Sequence, residues 1–384
     1  WVRQGTLIVS ALKNVNEASS LGQPANDADG TIRLGSSTSA ARLGYIGTGD
    51  STNREFSIGT SGAALDSSGT GAITYTSTAA ITLAGTNTAR TLTLGGSNTG
   101  DNTLAAQITD NGSGATSLVK DGVGTWILTN ANSNSGAVNV NAGTLYVNNT
   151  SGSGTGSGTV TVANTDTTLA GSGSIAGSTI LGSGAILAPG EGNTDTSNKT
   201  LTFTAASTAL SLGTGSTTEL GLTTSQLAAT PDLQLIKDAL AADTYTGIEA
   251  VIGTLNLGAY NNGLGGADHD FLNITTGTLA LAGGATIKVS NNGYLANTPD
   301  IGHVFNLIDW ATITVGSFNV GTNFRSGGSG GGDLDLPDLA SFSLGWDVSA
   351  FTSHGILVVV PEPGRMLLLL LGLISLGLRR RRIA

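Results

Sequence analysis

No cysteine occurs in the 384 residues. Neither a disulfide framework nor a thiolate metal site can therefore hold or arm this fold. Charge is sparse at 11% of residues, and aromatic side chains make up 5%. Basic residues are fewer than acidic ones, 16 Lys and Arg against 26 Asp and Glu, a formal net charge of −10. An acidic surface repels phosphate backbones and anionic lipid, which excludes nucleic acid as an expected partner. No apolar stretch reaches the length of about 20 residues that a comfortable membrane-spanning helix needs. The longest, Met366 to Leu378, has 13 residues and would extend roughly 20 Å as a helix. Helical periodicity is nearly absent as well, with Pro231 to Ala242 (PDLQLIKDALAA) the one convincing candidate.

What the chain has instead is glycine, 58 of them, with abundant Ser, Thr and Asn. Apolar residues recur among these in short alternating runs, the period-two mark of half-buried strands. Examples are Ile73-Thr74-Tyr75, Ile81-Thr82-Leu83, Thr91 to Leu94, Thr125 to Leu128, Val138 to Val140, Thr144 to Val147 and Thr159 to Val162. Gly-Gly, Asn-Gly, Ser-Gly and Asp-Gly pairs separate them, and these tolerate the positive φ of tight turns. Many short strands with tight turns fit a sandwich, a barrel or a β-solenoid. Three points favour the solenoid: very short strands, Leu, Ile and Val inward with Thr, Asn and Ser outward, and a two-strand unit recurring roughly every 20 residues. The expected fold is all-β, a parallel β-helix over residues 1–194 followed by a second β-rich region over 195–358. That second region either extends the solenoid or forms a separate domain, with a helical insertion at 231–242. A short hydrophobic C-terminal helix closes the chain.

Residues 117–149 (SLVKDGVGTWILTNANSNSGAVNVNAGTLYVNN) resemble the autotransporter-associated β-strand repeat, through Lys120, Gly122, Gly124, Thr125, Trp126 and Leu128, then Ser135, Gly136, Val138, Asn141, Gly143, Thr144, Leu145 and Val147. Flanking segments look like degenerate copies. Gly5 to Val9 reads as the strand that closes the repeat at Gly143 to Val147, and 155–190 as two or three further coils. Residues 195–358 resemble the C-terminal part of such proteins, whose usual outer-membrane barrel has no room here, so self-translocation is not implied.

Residues 359–384 resemble the PEP-CTERM sorting signal: Pro361-Glu362-Pro363, the short apolar run, then Arg379, Arg380, Arg381 and Arg382. A short C-terminal anchor is the other reading of this tail. The sorting resemblance implies an exosortase-type membrane protease as partner, transient inner-membrane insertion, and release to the cell surface or exterior. The arginines would stay in the cytoplasm, since positive charge resists translocation. Without Arg365, Arg379–Arg382 and Glu362, the remainder carries 11 basic and 25 acidic residues, a net charge of −14. Export needs a leader, and none precedes Trp1, so the expectation is a natural chain extending before Trp1.

Chemistry-bearing clusters are few. Asp268-His269-Asp270 places a histidine between carboxylates, but with His303 and His354 the remaining histidines it reads as a turn into the strand starting at Phe271. Asp333, Asp335 and Asp338 follow the glycine run 327–332 and are weak calcium candidates. Their alternation with Leu334 and Leu336 reads as a solvated loop entering an edge strand. No Gly-x-Ser-x-Gly elbow precedes a helix. No cofactor and no catalytic residue is expected. The expected function is a non-enzymatic surface or extracellular-matrix protein acting in adhesion or cell-envelope and biofilm structure, in contact with extracellular polysaccharide or other surface components. The alternative is a polysaccharide lyase or hydrolase on the same scaffold.

Overall fold

The computed structural model describes residues 1–190, 199–222, 237–239, 247, 251, 269–297 and 299–362. These form strands almost throughout, arranged as parallel sheets with few helical residues. The first sheet has 13 strands and runs from Gly5–Val9 to Phe271–Leu281, with Ile308–Val315 beyond. The second has 10 strands, from Thr48–Thr52 to Leu334–Asp335, and a third face begins with Ile32–Leu34, Phe56–Ile58 and Thr82–Leu83. Every pairing in these three sheets is between strands from successive turns of one coil. Leu118 sits beside Val138, Val138 beside Val160, and Val160 beside Thr179. Those offsets of 20, 22 and 19 residues match the spacing expected from the sequence.

Parallel register stacks like on like. Leu43, Leu65 and Leu94 share one inward column, continued by Val140, Val162, Leu181 and Leu212. All of these are buried, and each contributes about 2 kcal/mol by leaving water. Outward positions hold Thr93, Asn139 and Thr161. The inward-aliphatic, outward-polar rule is incomplete, however. Thr116, Thr167, Thr179 and Thr218 are buried too, Thr179 between Val160 and Leu210 and Thr218 between Leu187 and Ile287. Alternation alone does not separate a buried threonine from an exposed one, because its shape is that of valine.

Coils stack so closely at one corner that side chains are excluded. A Cβ on Gly136 would lie 2.4 Å from the Thr116 carbonyl oxygen. On Gly158 it would lie 2.0 Å from that of Gly136, and on Gly177 1.8 Å from that of Gly158. Gly177→Ala is expected to lower stability by about 2 kcal/mol through overpacking, read as a fall in urea midpoint. An unchanged midpoint would mean that the corner is looser than described.

The long sheets continue past residue 194. Thr200–Phe203, Thr208–Leu212, Phe271–Leu281 and Thr286–Asn291 all pair in parallel with neighbouring coils. Phe271–Leu281 turns a corner, pairing with Thr200–Phe203 through its first half and with Thr208–Leu212 through its second. Beyond it lies an antiparallel four-stranded sheet ordered Val304–Asn306, Ile356–Pro361, Leu344–Asp347, Phe324–Arg325. It encloses Tyr294, Phe305 and Trp346 in mutual ring contact. Within the expected helix 231–242, residues 237–239 are helical, and the rest lies outside the described residues.

One correspondence is corrected. Gly5–Val9 pairs with Ala41–Tyr45 in the first sheet, whereas Gly143–Val147 pairs with Thr125–Leu128 in the second. The shared Gly-Thr-Leu-x-Val pattern reports alternation, which either face satisfies.

Candidate functional site

The repeat 117–149 spans parts of two successive coils, with Leu118 beside Val138 and Trp126 beside Leu145, and several of its polar residues turn inward to serve the backbone. Lys120 occupies an aliphatic column between Leu94 and Val140. Its side chain is buried, and Nζ donates to the carbonyls of Gly122 at 2.7 Å and Ala142 at 2.8 Å. Burial pushes its pKa down to about 8, against the pull of Asp121. Below about 8 the folded chain bears the cost of a buried ammonium. Between about 8 and the ordinary lysine value the unfolded chain binds more protons, so stability rises with pH. The gain expected across that window is about 2 kcal/mol, because the carbonyl oxygens temper the burial penalty. Urea unfolding at pH 7.5 and 10 should show it in the natural chain and not in Lys120→Met. An equal response in both would remove Lys120 as its source.

Three arginines do the same at other corners. Arg90 donates to the carbonyls of Ile58, Gly59, Ala84 and Thr88. Arg54 reaches those of Lys13 and Gly22, and Arg325 those of Val320, Thr322, Gly328 and Leu334. Buried asparagines bridge coils: Asn102 Oδ1 accepts from Ser67 Oγ and the Ile73 N–H, while Nδ2 donates to the Thr125 carbonyl at 2.9 Å. Burial would raise the pKa of Asp110. The Ser135 hydroxyl and the N–H groups of Thr116 and Ser135 outweigh that and hold it below the usual carboxylate range.

These clamps escaped the reading of motifs, but a signal for two of them exists. Arg90 has the parity of Leu92 and Leu94, and Lys120 that of Leu118, so each is the inward member of its own strand.

The residues singled out from sequence fall as follows. Asp333 accepts from the N–H groups of Gly284 and Asn319, and Asp338 from that of Ala340. Asp335 lies on the last strand of the second sheet, beside Lys288. Among the described residues no group of three His, Asp or Glu side chains is disposed for a metal. His269 and Asp270 are buried at the entry to the strand that starts at Phe271. Asp270 accepts from the Gly221 N–H at 2.8 Å, tying the start of the Phe271 strand to Thr217–Leu222 of the second sheet; Asp268 lies outside the described residues. Trp126 is fully buried and Trp310 partly so. Pro361 ends the last strand opposite Leu344, and the Glu362 N–H donates to Ser343. Pro363, Met366–Leu378 and Arg379, Arg380, Arg381 and Arg382 lie outside the described residues. Among those described, no helix is long and apolar enough to cross a membrane.

With its buried cationic clamps spent on backbone carbonyls, the chain is built as a parallel solenoid. Residues 118–147 match the passenger-associated-transport-repeat family. Over 143 residues, 37% of its length, the chain is 46% identical to the adhesin BmaC autotransporter of Brucella suis biovar 1 (strain 1330). It spans 4% of that relative's length.

Proposed function

We propose that this chain is part of an exported, non-enzymatic surface protein that acts by adhesion or by building the cell envelope or biofilm matrix. The similarity to an adhesin passenger over 143 residues carries the reading. It is supported by buried cations satisfied by their own backbone, an arrangement that leaves them no part in turnover. In this reading the tail from Pro361 is a sorting signal. An exosortase-type protease cuts near Pro361 after transient insertion of Met366–Leu378 in the inner membrane, and the solenoid passes to the cell surface. Pro361 belongs to the last strand of the antiparallel sheet, so a cut beyond it would leave that strand whole.

Expression of the full gene in its host, followed by fractionation, tests the route. The product is expected outside the inner membrane, and held back when Arg379–Arg382 are replaced by serine. A natural product found in the cytoplasm would overturn export. Beads coated with the purified chain test adhesion, and binding to host-cell or biofilm surfaces no greater than that of albumin-coated beads would overturn it.

A further inference from the structure

Ile308–Val315 pairs with Phe271–Leu281 along one edge only. Its other edge is treated in two ways. Over the first half it is closed. The Leu307 N–H donates to the Gly355 carbonyl, and a Cβ on Gly355 would lie 1.9 Å from the Ile308 carbonyl oxygen. The Trp310 N–H is taken by Asp309 Oδ1 at 2.9 Å. Over the second half the edge is bare. The Gly316 N–H donates to the Leu281 carbonyl, and in a parallel ladder alternate residues of a strand bond to opposite neighbours. The N–H and carbonyl groups of Ile313 and Val315 therefore point away from Phe271–Leu281. Among the described residues none of these four groups has a hydrogen-bond partner.

Natural sheets blunt an open edge with charge, proline or a very short strand. The second sheet does so, since its last strand is Leu334–Asp335, two residues with a carboxylate. The bare edge has none of these devices. From Trp310 to Phe324 the sequence contains no charged residue and no proline. Thr312, Thr314 and Val315 are exposed. Val315 continues the inward column of Leu212 and Leu281, yet it is 38% exposed where Leu281 is 3%. The open main-chain groups are thus flanked by an uncovered aliphatic side chain on the inner side and by threonines on the outer side.

We propose that the edge from Thr312 to Val315 binds an extended, uncharged polypeptide segment, which adds one more strand to the first sheet. Two N–H and two carbonyl groups alternating at strand spacing are matched by another peptide main chain. The hydroxyls of a glycan lack that fixed alternation of donor and acceptor. Aliphatic residues of the segment lie against Ile313 and Val315, and its small polar residues lie beside Thr312 and Thr314, because side chains alternate between the two faces of a strand. A charged residue in the segment finds no countercharge between Trp310 and Phe324. The site goes beyond the proposed surface role and stands whether or not that role holds.

The test is fluorescence anisotropy of a labelled peptide of alternating threonine and valine, titrated with the full chain. A second labelled peptide carries the same side chains with every amide N-methylated, which removes its main-chain donors. The first peptide is expected to bind about ten-fold tighter than the second. Val315→Lys sets a charge beside the open groups at an exposed position. It should lower the affinity for the first peptide about ten-fold without moving the thermal midpoint. Equal binding of the two peptides would assign the attraction to side chains alone and overturn strand addition. Unchanged affinity in Val315→Lys, or no binding of the first peptide to the natural chain, would overturn the site.

Discussion

Trp126→Ala lowers the free energy of unfolding by about 4 kcal/mol, the cost of a large cavity in a closed interior. The indole is wholly buried and lies parallel to Tyr75, with ring centroids 6.2 Å apart, while Tyr75 meets Phe56 edge-on at 5.0 Å. Its Nε1–H donates at 2.9 Å to the Gly95 carbonyl. Trp126 stands on the second sheet and Gly95 on the first, so one side chain ties two faces of the coil together. Trp126→Phe keeps most of the volume and loses that bond, and should cost about half as much. Urea unfolding measures both. A loss under about 1 kcal/mol for the alanine variant would mean that the ring is not enclosed between faces.

Acidification from pH 7 to 4 loosens the join between the last coils and the antiparallel sheet. His269 Nε2 is 2.6 Å from the Asn306 carbonyl, and its ring stands edge-on to Phe271 and Phe305. The carbonyl fixes the proton on Nε2, and Nδ1 has no partner. A second proton would thus be stranded among rings. Burial pushes the pKa down to about 4, opposed in part by the Asn306 carbonyl. The unfolded chain takes up that proton near the ordinary value of about 6.5. The stabilisation is therefore complete above about 6.5 and is lost as pH falls to about 4, by about 3 kcal/mol. His303 adds in the same direction, because burial lowers its pKa while Asp300 raises and Lys237 lowers it more weakly. Its Nδ1 accepts from the Asp300 N–H at 3.2 Å and stands 3.0 Å from the Tyr294 hydroxyl. His269→Gln keeps a donor for Asn306 and cannot titrate. The difference in stability between pH 7 and pH 4 should shrink by that amount in the variant. The same acid slope in both proteins would exonerate His269.

Much of the solenoid could be read from particular residues. Leu92 and Leu94, or Val138 and Val140, announce strands by parity alone, and glycine pairs mark the turns. Parallel stacking then follows from the spacing of the units, because a strand with one apolar face needs a like neighbour. Parity also carried information left unread, since it places Arg90 and Lys120 inward, where chemical type suggests solvent. The antiparallel sheet was less visible. Val358, Val359 and Val360 are all buried, so no alternation marks which side is which. One of its pairings also spans a long separation, Val304 with Val358, which no local pattern reveals.

Stacking of one coil directly on the next can be measured by cross-linking, because a chain without cysteine allows clean thiol pairs. Asn139 lies beside Thr161 on adjacent strands, and Thr161 beside Ile180 on the next. Adjacent strands are about 4.8 Å apart, within disulfide reach, whereas two steps are about 10 Å, beyond it. Under mild oxidation the pair Asn139→Cys and Thr161→Cys should lose its free thiols, and the pair Asn139→Cys and Ile180→Cys should retain them. Closure of the second pair in preference to the first, or of neither, would contradict a parallel stack with this register.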